Sequence, residues 1–151
     1  MAMDATTAEE CTFCHLESFR RGSVVFAEND FAVFGNQEHE DALSGSGVIV
    51  PKAHRETVFD LTAEEIEATF ALLQEVRPIL DDRYRPDGFN IGWNCYAAGG
   101  QVIPHAHLHV LLRFSDEPRA GHGIRRWLKQ RENRRPNPLS PGQGRHDIGP
   151  F

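Results

Sequence analysis

The chain has 151 residues, 40% of them hydrophobic and 25% charged, with a formal net charge of −6. That length suits a single domain with its own core, and the composition excludes a disordered or collagenous chain. The charge is split: residues 1–112 carry 18 Asp/Glu against 7 Lys/Arg, a net of −11, while residues 113–151 carry 9 Lys/Arg against 4 Asp/Glu, a net of +5. An acidic body argues against a nucleic-acid partner and leaves room only for a local anion site. No apolar run approaches the roughly 20 residues that cross a bilayer. Residues 1–10 show no secretory signal, so no membrane association and a cytoplasmic location are expected.

In chain order, residues 1–10 read as a flexible leader and Cys11–Arg21 as a short helical segment. Ser23–Ala27 and Phe31–Phe34 read as a hairpin, parted by Glu28-Asn29-Asp30. Asn36–Gly47 is a polar loop, and Gly47–Val50 is a third strand stopped by Pro51. Thr62-Ala-Glu-Glu65 fits a capping box, in which hydroxyl and carboxylate each satisfy a free N–H. Ile66, Phe70, Leu73 and Leu80 then recur at near-helical spacing, which predicts the main helix over residues 63–83, bent or ended early by Pro78. Phe89–Asn94 and Pro104–Phe114 are the fourth and fifth strands, and Gly123–Arg131 is a short helix. From residue 134 the chain reads as a Pro/Gly-rich arm. Strands on either side of one long helix imply an α+β fold, with an antiparallel sheet for the first three strands.

The segment with the most chemistry is Gly99-Gly-Gln-Val-Ile-Pro-His105-Ala-His107-Leu-His109-Val-Leu-Leu-Arg113. On a strand, alternate residues share a face. His105, His107 and His109 would then point one way at about 6.6 Å intervals, with Ala106, Leu108 and Val110 turned to the core. Three imidazoles on one face suit metal ligation, or nucleophilic and acid–base chemistry near neutral pH. Cys11-Thr-Phe-Cys14 has the spacing of two ligands on one tetrahedral metal, which two histidines would complete. A redox or an incidental role is the alternative, and no βαβ context supports the first.

The segment His105-Ala-His107-Leu-His109-Val-Leu-Leu resembles the signature of the histidine triad (HIT) family. The likeness extends to Gly100-Gln101, Trp93-Asn94, Val48-Ile-Val-Pro-Lys-Ala-His54 and Cys11-x-x-Cys14. It implies a HIT-like catalytic domain over residues 11–114, with a five-stranded antiparallel sheet and one long helix, followed by a basic extension over 115–151. It also implies a homodimer that binds purine nucleotides, with hydrolysis or nucleotidyl transfer at the α-phosphate. The substrate would be a nucleoside phosphoramidate or a dinucleoside polyphosphate. By the resemblance, His107 is the nucleophile that forms a nucleotidyl-histidine, and His109 stabilises phosphate charge. His105 acts partly through its backbone. Asn94, Gly100, Gln101 and Val102 line the phosphate, and Asn36 or Gln37 is nearest to a ribose-binding position. The zinc-bearing members suggest Cys11, Cys14, His54 and His105 as a structural zinc site.

Two positions depart from the family pattern. Ser46 stands where many members have His, and Val102 stands where a Ser or Thr can protonate the leaving group. Val102 cannot donate a proton, which favours a leaving group that needs little help, such as a polyphosphate. Two other functions fit less of the sequence. One is a nucleotide sensor with low turnover. The other is a metal-dependent hydrolase with three histidine ligands, against which no Asp or Glu lies beside the histidines.

Overall fold

The structure is a computed structural model that describes residues 7–38 and 41–136. Most of the expected leader and arm therefore lie outside the described residues. The chain divides into two units, residues 1–120 and residues 121–151. The first holds one antiparallel sheet of β1 (Phe26–Glu28), β2 (Ala32–Asn36), β3 (Gly47–Pro51), β4 (Gly88–Trp93) and β5 (Leu108–Arg113), in the order β1-β2-β3-β5-β4. It also holds two helices, α1 (Leu16–Gly22) and α2 (Ala63–Tyr84), with a 3-10 turn at Thr12–Cys14 ahead of α1. This is the expected α+β fold with five antiparallel strands and one long helix. No described helix is long and apolar enough to cross a membrane.

The first hairpin closes around Asn29. Its Oδ1 accepts the N–H groups of Phe31 and Ala32, and its Nδ2 donates to Ala68 O of α2 at 2.8 Å. Helix α2 begins in the expected capping box, with Glu65 N–H donating to the Thr62 hydroxyl and Thr62 N–H donating to Glu65. It does not end early: the helix passes Pro78 and closes at Arg85 in a left-handed cap. Its buried stripe is Glu65, Thr69, Leu72, Val76 and Leu80, displaced by one position from the predicted Ile66-Phe70-Leu73 row. Ile66 and Phe70 are exposed. The shift follows from polar residues at two inner positions, each internally satisfied. Arg55 bonds Glu65, and the Thr69 hydroxyl donates to Glu65 O.

The sheet has two buried faces. Leu72, Val76 and Leu80 of α2 pack on Phe34, Ile49, Leu108, Val110 and Leu112. On the opposite face Cys11, Phe13, Val33 and Val50 form a smaller cluster with Phe19 of α1. Gly35 lets α1 approach: a Cβ there would lie 2.1 Å from Ser23 Oγ and 2.9 Å from the Phe19 ring.

In the second unit, Gly123–Arg131 is not the predicted helix. Its residues form turns, followed by a 3-10 turn at Arg131–Asn133. The His122 and Trp127 rings meet edge-on at 6.2 Å.

Candidate active site and metal centre

Strand β5 alternates as expected from Leu108 onward, with Leu108, Val110 and Leu112 buried toward α2. It is shorter than predicted. Residues 103–107 bend instead, because His105 N–H donates to Ile103 O (2.8 Å) and Ala106 N–H to Arg55 O (2.7 Å). His105 and His107 thus precede the strand, and the even strand spacing of three imidazoles gives way to three distinct settings.

His107 is buried, and its Nδ1 lies 2.8 Å from His105 O. A carbonyl only accepts, so Nδ1 carries the proton and Nε2 keeps its lone pair. The His109 ring is 4.8 Å away. Asn94 Nδ2 donates to His109 Nε2 at 3.4 Å. Burial, helped by His107, lowers the pKa of His109. Phe13 tilts over His107 at 5.2 Å.

His109 borders a cleft of about 510 Å³ on the α1 side of the sheet, a size that suits a small ligand. Phe13, Phe19, Val48, Ile103 and Leu111 supply apolar walls. Val48 rather than Ile49 faces the cleft, since Ile49 is fully buried under α2. Ser46 also lines it, with its hydroxyl accepting Leu112 N–H at 2.9 Å.

Several expected phosphate and ribose contacts have other employment. Asn36 is buried. Its Oδ1 accepts Val25 N–H, and its Nδ2 donates to Gly45 O and to the Tyr84 hydroxyl. Both amide hydrogens are used, so Asn36 fastens β2 to α2 instead of offering a donor to a ribose. Gln101 is buried too. Its Nε2 donates to Glu56 O (2.6 Å) and Ile103 O (3.0 Å), and its Oε1 accepts Tyr96 N–H (2.8 Å). It braces the loop from within and has no hydrogen left for phosphate. The N–H groups of Gly99, Gly100 and Gln101 likewise turn to Tyr96 O or Ala97 O. Gly100 serves through its φ of 87°, which glycine adopts freely, and it sits beside the Asn94 side chain. Val102 is 85% exposed. Asn94 remains exposed at the site.

Sequence reading missed Tyr96. It adopts φ 60°, ψ 170°, a region that costs a side-chain-bearing residue about 1–3 kcal/mol. Its side chain is 52% exposed. No composition or period encodes a backbone angle, so only a tyrosine within a glycine-bearing turn hinted at it.

The second constellation is a group of Cys11, Cys14, His54 and His105 whose ligand atoms all lie within 4.8 Å of one another, and which can hold a metal ion. Cys11 Sγ is 3.4 Å and Cys14 Sγ 3.5 Å from His105 Nδ1, and Cys14 Sγ is 3.2 Å from His54 Nδ1. Sulfur and nitrogen ligands on one tetrahedral zinc stand about 3.5 Å apart, so the donor set fits that ion. Burial, with Cys11 beside it, raises the Cys14 thiol to about 11. Burial lowers His105 to about 4, against the pull of its bond to Pro51 O. Its Nε2 donates to that carbonyl at 2.9 Å, which leaves Nδ1 as the ligand atom. His105 therefore joins the cysteines and not the other two histidines. A site of three histidine ligands is not built.

A histidine pair beside a cleft, backed by a Cys₂His₂ group on a five-stranded sheet, defines a class of protein. The chain belongs to the HIT family: the HIT domain family model matches residues 23–116. It is similar to an uncharacterized HIT-like protein of Mycoplasma genitalium, at 25% identity over 85% of this chain and 90% of that protein. It is also similar to an asymmetrical bis(5′-nucleosyl)-tetraphosphatase of Schizosaccharomyces pombe, at 27% identity over 66% of this chain and 54% of that protein. Among solved structures, a zinc-bound histidine triad family protein of Mycobacterium smegmatis shares the fold. Its TM-score is 0.62 at 23% identity, covering 74% of this chain and 81% of that one.

Proposed function

We propose that this protein is a hydrolase or nucleotidyl transferase acting at the α-phosphate of purine nucleotides through His107. The observation that carries the reading is the 2.8 Å bond from His107 Nδ1 to His105 O. It fixes the tautomer and leaves the Nε2 lone pair free on a ring 4.8 Å from that of His109, which borders the cleft. Attack by Nε2 forms a P–N bond while the Pα–O bond breaks, and its electron pair departs with the leaving group. Water or a second acceptor then displaces His107 from phosphorus and regenerates the neutral imidazole. Dividing one displacement into two is the gain of covalent catalysis. His109 and Asn94 meet the phosphate oxygens, and the Val102 N–H is a further main-chain donor in the loop after β4. Val102 offers no hydroxyl to protonate a leaving amine, so the favoured substrate is a dinucleoside polyphosphate, whose leaving phosphate departs as a stable anion. The tetraphosphatase relative supports this class.

Cys11, Cys14, His54 and His105 hold zinc in this reading, as the M. smegmatis protein's bound zinc also suggests. With four protein ligands the ion would supply a cross-link between the N-terminal segment and the sheet. Ligand thiolates suit a reducing compartment, consistent with the cytoplasm. A homodimer has an open sheet edge to use: β4 is terminal in strand order and half-buried along its length, and exposed Ile66 and Phe70 add apolar surface on α2.

The test is intact mass spectrometry of acid-quenched enzyme after mixing with diadenosine tetraphosphate. Wild type shows an adenylyl adduct, and His107→Ala shows none, with turnover lower by about a thousandfold or more. Wild-type turnover in His107→Ala would refute the assignment.

A further inference from the structure

The order of strands lays out the site. The cleft lies over β2 and β3, where Gly35, Asn36, Gly47 and Val48 line it. His109 stands on β5, paired to Val48 on one side and Gly92 of β4 on the other. The chain leaving β4 carries Asn94, bonded to His109, and then the loop of Tyr96 to Val102. A phosphate held at His109 thus has the cleft on one side and this loop on the other. If one nucleoside fills the cleft, the leaving group must depart past the loop.

That loop presents two large exposed hydrophobic side chains, Tyr96 and Val102. The tyrosine is held out on backbone that favours glycine. The strain is sustained by the loop's own bonds: Gln101 Oε1 takes Tyr96 N–H, and Tyr96 O takes the N–H groups of Gly99 and Gln101. Tyr96 follows Asn94 by two residues, so their Cα atoms are at most about 7 Å apart. A phenol ring there is within reach of a group leaving from His109. Glycine would form the same turn without strain. What glycine cannot provide is a flat aromatic face.

Resting on the function proposed above, we infer that Tyr96 is a specificity-determining residue: its ring stacks on the base of the departing nucleotide and selects leaving groups that carry a second nucleoside. When His107 attacks one α-phosphorus of a dinucleoside tetraphosphate, the Pα–O bond breaks and a nucleoside triphosphate leaves. Its base is the group that Tyr96 holds.

The experiment compares diadenosine tetraphosphate with adenosine 5′-tetraphosphate, which differs in lacking the second nucleoside. The ratio of their kcat/KM values is expected to fall about tenfold in Tyr96→Gly, the scale of one lost base–aromatic stack, and to be retained in Tyr96→Phe. Tyr96→Gly should also raise Tm, because the backbone strain is relieved. A raised Tm with an unchanged ratio would mean that the ring does no selecting, and a lowered Tm would remove the strain argument; either overturns the inference. A calorimetric arm uses His107→Ala protein, in which the affinity for diadenosine tetraphosphate should drop on adding Tyr96→Gly. Loss of turnover on both substrates in the wild type would refute the proposed reaction, while this arm still decides the role of Tyr96.

Discussion

Gln101 shows how a single side chain can carry the opposite role from the one its motif suggests. Next to a glycine it reads as an amide offered to phosphate, yet its three bonds run inward to Glu56, Ile103 and Tyr96. Removing a buried amide strands its partners, at about 1–3 kcal/mol. Gln101→Ala should therefore lower the stability measured by urea denaturation by that amount. A phosphate-contacting role would instead raise KM and leave the denaturation midpoint where it is. The histidines were more legible, since alternation of polar and apolar residues survives in sequence, and Leu108 and Val110 are buried as it requires. The destination of His105 was legible only through family resemblance, because the bend that turns it toward Cys11 is made by main-chain bonds to Ile103 and Arg55. Asn36 posed the same difficulty as Gln101, since its amide is bonded internally although it lines the cleft. A polar side chain in a loop-bordering position looks available until its partners are seen.

Among elements, α2 is the one whose ends were best read and whose face was not. Thr62 and Glu65 announce the start, but apolar spacing selected the Ile66-Phe70 row. The true inner row begins with Glu65, whose charge is balanced by Arg55 from the segment after β3. The Arg55 guanidinium, with help from Thr62, holds the Glu65 carboxyl below the usual carboxylate range. A depressed folded-state pKa contributes stability that is complete above the unfolded value, near 4.3, and is lost as pH falls through the lowered value. The stability advantage of wild type over Glu65→Gln should accordingly be constant at neutral pH and shrink on acidification below about pH 4.3. Urea titrations of both proteins between pH 3 and 7 check the sign. An advantage that grew on acidification would contradict the pairing.

At the scale of the molecule, the Cys₂His₂ group ties residues before α1 to both the β3–α2 connection and the approach to β5. A covalent tether of comparable reach stabilises by about 3 kcal/mol, or roughly 6–12 °C in a chain of this size. Elemental analysis should find about one zinc per chain in protein purified without a polyhistidine tag. A strong chelator, or Cys11→Ser, should lower Tm by that margin. Metal-free protein with an unmoved Tm would argue against the zinc. The acidic body also acquires a meaning. With a net of −11 over residues 1–112, its wide field repels anions, so the proposed phosphate recognition would rest on short-range contacts from His109 and the Asn94 amide.

His105 has a final consequence for how this chain would look to a mutational scan. Its ring is committed to the cysteines, but its carbonyl steers His107. Truncating the ring leaves the carbonyl in the sequence and removes what keeps it still. The damage would arrive at His107, the proposed nucleophile, second-hand, as a misaimed neighbour. A scan that scores activity alone would file His105 beside His107 as a chemical participant. It is better described as a hinge pin, with its ring set among the cysteines and its carbonyl bearing on His107.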